Sequence, residues 1–269
     1  LPSSILGERL QDTAFTQWAG YLRFFWSPRA DQTLGLTYHR GEQVGGRRYD
    51  QLNGGNGNLI NSFDPQVLDF FYARYEKQRL GWLDWLQGTF SYNRQRDDRR
   101  FQGGSGNPLA SITQDNSVTS AFGYQVQATT HVGRHHLLLF GGEVYDEYID
   151  AAAQTLNPAT GSSTTLRGRF PNGSRYTSYG LFAQHSSEWL SGRLRTQAGV
   201  RYSGIHFGTF ADKNPVVGGQ PTVPDFSTAL NDVTFQSGAS YRGVRFLVIY
   251  GTVSRGFRAP NTTDFSSVG

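Results

Sequence analysis

The chain of 269 residues contains no cysteine and no methionine. Without thiols it can form neither disulfides nor thiolate metal sites, and it has no cysteine nucleophile. Without methionine, and with no basic-then-apolar leader at Leu1-Pro2-Ser3-Ser4, it is expected to be an internal piece of a longer precursor. Lysine is scarce: of 25 basic residues only Lys77 and Lys213 are lysine, which leaves 23 arginines. Charged residues make up 17% of the chain, below the usual quarter. Long apolar runs are missing as well. The longest are Leu137-Leu138-Leu139-Phe140 and Phe246-Leu247-Val248-Ile249-Tyr250, far short of the ~18–20 residues that a membrane helix needs. Membrane strands are not excluded, because a barrel strand needs only about 9–11 residues with alternate ones apolar.

What is present is glycine (33 residues), aromatic residues (14%) and a period of two. From Arg193 to Tyr202, Leu194, Thr196, Ala198, Val200 and Tyr202 share one face, and Arg193, Arg195, Gln197, Gly199 and Arg201 share the other. Such alternation is a strand whose two faces meet different solvents. The same pattern opposes Phe122, Tyr124 and Val126 to Gly123, Gln125 and Gln127, and Leu34, Leu36 and Tyr38 to Gly35, Thr37 and His39. The pattern predicts ten strands near 14–26, 32–41, 67–79, 84–96, 117–131, 135–149, 175–189, 193–207, 229–242 and 244–256. These are long for a soluble sheet.

Connections alternate in length. Short turns centre near 29, 82, 133, 191 and 243, at intervals of 53, 51, 58 and 52 residues. Between them lie polar loops over 41–66 (with Asn53-Gly54-Gly55-Asn56), 97–116, 150–174 and 208–228. Short turns at one rim and long loops at the other is the layout of an outer-membrane barrel. A kelch propeller has a similar period but packs four short strands per blade. A lipocalin-like barrel shares the alternation with the apolar face turned inward; strand length and loop asymmetry speak against it. Trp26, Trp82, Trp85 and Trp189 cluster near the short turns, as an interfacial girdle would. The expected fold is therefore all-β: an antiparallel up-and-down transmembrane β-barrel segment, with residues 1–269 part of one barrel domain.

The most specific text is Tyr250-Gly251-Thr252-Val253-Ser254-Arg255-Gly256-Phe257-Arg258-Ala259-Pro260-Asn261. It resembles the strand-end motif of TonB-dependent outer-membrane receptors, carried here by Gly256, Phe257, Arg258, Ala259, Pro260 and Asn261. Tyr179-Gly180-Leu181-Phe182-Ala183-Gln184 resembles that family's aromatic-Gln strand, and Gly199-Val200-Arg201-Tyr202 its Gly-x-Arg-Tyr strand. The resemblance implies a bacterial outer-membrane location. It also implies a barrel of about 22 strands around a plug, and energy-coupled uptake through TonB of a scarce ligand. A ferric siderophore is that family's commonest theme, with cobalamin and oligosaccharides as alternatives. Ten strands are less than half such a barrel, and the pattern contains no plug. A passive porin-type channel and a surface adhesin remain open as other readings. In the motif, Gly256 permits a kink where the strand leaves the sheet, Pro260 suits a strand end, and Arg258 can reach a carboxylate or phosphate.

No enzyme constellation or cofactor site is expected. His39, His131, His135, His136, His185 and His206 are scattered, and adjacent His135 and His136 point to opposite faces. Glu143, Asp146, Glu147 and Asp150 form an acidic group that fits a divalent cation or a solvated rim. Walker, H-E-x-x-H and G-x-S-x-G motifs are missing. Arginine is the informative residue. Arg47, Arg48, Arg96, Arg99, Arg100, Arg167, Arg169 and Arg175 fall in or beside the expected long loops. Their guanidinium forks suit an anionic ligand, lipopolysaccharide phosphates, or simple solvation. Nucleic acid is not an expected partner, because the basic stretches lack a repeat of stacking aromatics.

Overall fold

The computed structural model describes residues 13–52 and 57–266; Asn53-Gly54-Gly55-Asn56 lie outside the described residues. The elements in chain order are β1 (Thr16–Arg29), β2 (Gln32–Val44), β3 (Gly46–Arg47), β4 (Ile60–Leu80), β5 (Leu83–Gln102), β6 (Ile112–Val132), β7 (His136–Leu156), β8 (Ser163–Leu166), β9 (Ser174–Trp189), β10 (Leu194–Thr209), β11 (Val216–Val217), β12 (Gln220–Pro221), β13 (Phe226–Val244), β14 (Leu247–Arg255) and the helical turn α1 (Thr262–Ser266). The long strands pair in the order β1-β2-β4-β5-β6-β7-β9-β10-β13-β14, every pair antiparallel. All ten expected strands are present, as one up-and-down meander. β3 and β8 extend the sheet beside β4 and β7, and β11 with β12 forms a separate small hairpin.

The short turns lie where the sequence places them. Gly133 (φ 71°) and Gly192 (φ 82°) adopt left-handed conformations that glycine reaches without strain. The first turn is tied to β4 by the backbone N–H of Gln78, which donates to Asp31 O at 2.8 Å, and by a Lys77–Asp31 ion pair. That hydrogen bond from Lys77 holds the Asp31 carboxyl below its usual value.

At the other end the structure corrects the sequence reading. The expected loop over 97–116 is strand up to Gln102 and again from Ile112. β4 begins at Ile60, and β7 runs on to Leu156. Above the apolar segments both faces of a strand meet water. Alternation disappears there while the hydrogen-bonded ladder continues, so a pattern built on hydropathy stops too early. Pro65, which cannot donate to a ladder, sits at the register shift between Phe63 and Gln66.

Register sorts the side chains into two faces, because directly opposed residues share a side. One face carries Leu22, Tyr38, Phe71, Tyr92 and Phe122 in a single row, with Phe24, Leu36, Ala73, Phe90, Tyr124, Val144 and Tyr179 in the next. The opposite face carries Gln87, Gln127, Gln125, Glu143, Gln184 and Gln236. Large apolar side chains on the first face stay open: Leu181 is 64% exposed and Val126 54%. A continuous apolar face of this extent is a lipid-facing surface.

The upper boundary of that apolar band crosses β2 between Tyr38 and Arg40. On β7 it lies between Val144 and Asp146, and on β13 between Val233 and Asn231. In register, Arg40 aligns through Asp69, Arg94 and Ser120 with Tyr148, and through Arg175 and Gly208 with Ser227. The boundary therefore slides toward the short turns from β2 to β13. A band parallel to a flat bilayer can slide against the hydrogen-bond rows only if the strands tilt, as strands of a barrel wall do.

Glycine on these strands makes room for neighbours. A Cβ on Gly141 would overlap the Val126 carbonyl oxygen, and the Phe182 ring would lie 2.8 Å from it. The Tyr179 ring leans over Gly204 in the same manner.

Candidate functional site

Two features converge on the polar face near the long-loop end. The first is an aromatic–guanidinium wall. Phe63, Arg99 and Asp115 are neighbours in one row. The Arg99 guanidinium carbon lies 4.7 Å from the centre of the Phe63 ring. Its Nε donates to Asp97 Oδ2 at 2.7 Å, and Gln66 Nε2 donates to Asp97 Oδ1 at 3.3 Å. Asp115 Oδ2 accepts the backbone N–H of Arg169 at 2.7 Å. This bond draws the loop between β8 and β9 over the same wall, where the Arg169 guanidinium lies 5.2 Å from the Phe170 ring centre. A second arginine–aromatic pair is thus tethered, through the Arg169 backbone, near the Phe63–Arg99 pair, whose guanidinium is held by Asp97.

The second feature is the segment after β14. Arg255 ends the strand and donates to both carboxylate oxygens of Asp232, each at 2.9 Å. From Gly256 the chain leaves the sheet and crosses the polar face. Tyr176 Oη donates to Pro260 O at 2.9 Å, Thr262 Oγ1 donates to Glu147 Oε1 at 2.9 Å, and Phe265 stacks on Phe207 at 4.8 Å and 8°. Glu147, Tyr176 and Phe207 occupy one row of that face. Asn261 and Asp264 close the helical turn reciprocally: each backbone N–H donates to the other's side chain, at 2.8 and 2.9 Å. Arg258 lies 3.7 Å from Asp264 and is otherwise open, with its side chain 83% exposed. The motif is therefore part of an inward fold that rests on the polar face of β7, β9 and β10.

The remaining arginines do not join this place. Arg48 is paired with Asp50 in the turn after β3, with Nη2 to Oδ2 at 2.7 Å, and those hydrogen bonds hold the Asp50 carboxyl below its usual value. Arg47 is in β3, and Arg167 follows β8. Arg96, Arg100 and Arg175 sit on strands rather than loops, and on the apolar face above its band. Arg96 pairs with Asp98 and Arg175 with Asp146. Sequence spacing alone cannot separate the faces, because alternation in hydropathy ends before the strands do.

Trp26, Trp82 and Trp189 lie toward the short-turn end on the apolar face, Trp82 stacking on Phe140 at 5.8 Å. Trp85 is a correction: register puts it opposite Gln78 and Thr129, on the polar face. One residue of offset on a strand reverses the side. Trp18 occupies the upper edge of the apolar face, with the Arg40 guanidinium 5.7 Å from its ring centre.

The acidic group also divides. Glu143 and Glu147 take the polar face, Asp146 and Asp150 the other. Glu143 pairs with Arg201 at 2.5 Å and Asp146 with Arg175 at 2.6 Å. Among the described residues no cluster of three or more His, Asp or Glu could hold a metal. His136 Nδ1 does approach His185 Nε2 at 3.2 Å across β7 and β9. Phe63, Phe170, Tyr176, Phe207 and Phe265 were missed from sequence. Their only signal is an aromatic among polar neighbours, which period-two reading treats as noise.

The comparisons fit this geometry. The family model described as TonB dependent receptor-like, beta-barrel matches residues 8–269. No curated protein matches the chain. Among solved structures, the copper transporter OprC superposes with a TM-score of 0.69 at 14% identity, covering 92% of this chain and 37% of that one. The ferric citrate transporter FecA gives 0.66 at 12%, covering 91% and 36%. The ferric yersiniabactin uptake receptor FyuA from Yersinia pestis gives 0.64 at 15%, covering 88% and 37%. The chain spans less than half the length of each of these proteins. At such identities the likeness is one of fold, and the family assignment rests on the model match across nearly the whole chain. With its polar face lining the barrel interior and its apolar face in the outer membrane, this chain belongs to the TonB-dependent receptor β-barrel family.

Proposed function

We propose that this barrel wall serves energy-coupled uptake of a scarce anionic ligand, with a ferric siderophore as the ligand class and TonB as the energy partner. The observation that carries the reading is the interior wall of Phe63, Arg99, Arg169 and Phe170. Flat rings beside guanidinium forks suit a charged, partly aromatic chelate better than a neutral oligosaccharide. Fold neighbours whose names specify ferric citrate and ferric yersiniabactin uptake support the same ligand class. The segment 256–266 lies against the interior wall, which favours a filled lumen over a wide passive channel. Residues 1–269 are proposed as part of one barrel domain. Trp26, Trp82 and Trp189 are proposed to sit at headgroup level.

The test uses the complete receptor carrying these strands, in iron-starved cells with and without functional TonB. Uptake of labelled ferric siderophores should require TonB. Equal uptake without it would overturn energy coupling. Arg99→Ala should weaken binding of the transported chelate about tenfold, the loss of roughly one charge-assisted hydrogen bond, with unchanged barrel yield.

A further inference from the structure

We propose that the apolar face of the barrel, at its short-turn end, carries a binding site for a divalent transition-metal ion, zinc first among them, built from His136, His185 and Ser187. His136 opens β7 directly opposite Ser187 of β9, and His185 stands two residues along β9 on the same face. Such diagonal neighbours are within reach of long side chains. His136 Nδ1 lies 3.2 Å from His185 Nε2, and the Ser187 hydroxyl oxygen lies 2.8 Å from the first and 3.1 Å from the second. Three donor atoms thus form a nearly equilateral triangle. Ligands of a tetrahedral zinc ion, each about 2.0–2.1 Å from the metal, lie about 3.3 Å from one another. An ion seated over this triangle needs only small side-chain shifts.

The surroundings favour that use. Ser187 is 2% exposed, so its hydroxyl has little freedom to leave the two rings. Trp189 meets the His136 ring edge-on at 5.2 Å, and its Nε1 donates to Thr196 Oγ1 at 3.0 Å, which steadies the imidazole plane. His185 is exposed, which leaves the fourth coordination position to solvent. In register the neighbours of the three residues on this face are Val132, Leu138, Thr196 and Ala198, none of them a cation that would repel an ion. Nor is any of them a carboxylate. Calcium and magnesium, which take oxygen ligands, are poorly served, whereas imidazole suits zinc, copper and nickel. In the ion-free pair one ring N–H donates across the gap. A tautomer shift moves that proton to the ring's other nitrogen and leaves two lone pairs for the ion. The depth is that of the Trp189 ring, at the edge of the apolar band, where aqueous ions arrive. The site is on the outside, so it does not depend on which ligand passes through the lumen.

The test is a calorimetric titration with zinc of the full receptor, purified in detergent free of lipopolysaccharide and stripped with a chelator. H136Q and H185Q should each weaken zinc binding at this site by about tenfold or more. H206Q, whose ring bonds Ser227 elsewhere on the sheet, should bind as wild type does, and heat-modifiable migration should stay normal in all three. Cobalt in place of zinc should give the intense visible bands of a four-coordinate ion in the wild type and lose them in both site variants. Excess magnesium or calcium should not compete. Where a variant does not assemble, the wild-type receptor carries the test: zinc should protect His136 and His185, but not His206, from diethyl pyrocarbonate, read by peptide mass spectrometry. Wild-type zinc affinity in H136Q and H185Q would overturn the proposal. So would full competition by magnesium, or equal modification of the two rings with and without zinc.

Discussion

The lower and upper halves of β5 share one backbone ladder and live in different solvents. From Leu86 to Tyr92, Leu86, Phe90 and Tyr92 face lipid while Gln87, Thr89 and Ser91 face the interior. From Arg94 to Arg100 every side chain is polar, yet pairing with β4 and β6 continues. The difference teaches that hydrophobic alternation reports the solvent on each side of a strand, whereas pairing follows from neighbours on both edges. Membrane insertion and strand extension are therefore separable properties of the same element.

The strongest way to break that separation is to place one charge in each half of a strand. Val126 lies in the middle of the apolar face of β6, between Gly88 and Gly142. V126R should cost about 2–4 kcal/mol of folding free energy, as a cationic side chain near the bilayer midplane does. Val118 is on the same face of the same strand, but above the band and between Arg96 and Asp150. V118R should cost under about 1 kcal/mol. Urea titration of the receptor folded into vesicles measures both. Equal costs would mean that the band does not end where the side chains change.

A smaller effect probes packing on the polar face, at the depth of the band. In G141A the new methyl group meets the Val126 carbonyl, which cannot move without disturbing the ladder. Destabilisation of about 1–3 kcal/mol is expected, seen as a lower urea midpoint. G251A, where a Cβ would meet nothing within 4 Å, should be near neutral and serves as its control. Weaker still is the inward segment. F265A removes the stack on Phe207, worth about 0.5–1.5 kcal/mol beyond buried area. Faster hydrogen exchange confined to 256–266 should follow, with strand protection unchanged.

These contrasts also mark what the sequence makes legible. Ten strands can be read because lipid on one side and water on the other impose alternation on Leu34, Leu36 and Tyr38, or on Leu194 to Tyr202. The ladder over 97–102 cannot, since Asp97 and Asp98 are polar on opposite faces and no apolar alternation marks the strand there. The family is legible from Gly256 to Asn261, but the inward course of that segment is not. Its partners Glu147, Tyr176 and Phe207 lie on strands far away in the chain and are joined to it only by register. Trp85 shows the limit of counting distance from a turn: proximity fixes depth, and parity fixes the side.

The smallest expected effect concerns the loop end, where exposed charges act alone. Arg48 Nε donates to Asp50 Oδ1 at 3.0 Å and Arg48 Nη2 to Oδ2 at 2.7 Å, pinning the turn Tyr49–Gln51. The hydrogen bonds from Arg48 lower the Asp50 pKa, opposed by slight desolvation. A carboxylate depressed in the folded state contributes stability above its unfolded value, near pH 4, and that contribution is lost as pH falls through the folded value. Acidification from about pH 6 to about pH 3 should therefore reduce the exchange protection factors of Gln51 and Leu52, whose N–H groups close the turn. Both partners are exposed, so the change should stay local and leave the belt strands untouched. In D50N the turn should be looser at pH 6 and insensitive to acid. If D50N keeps the wild-type acid response, another group governs the turn and the pair contributes nothing to it.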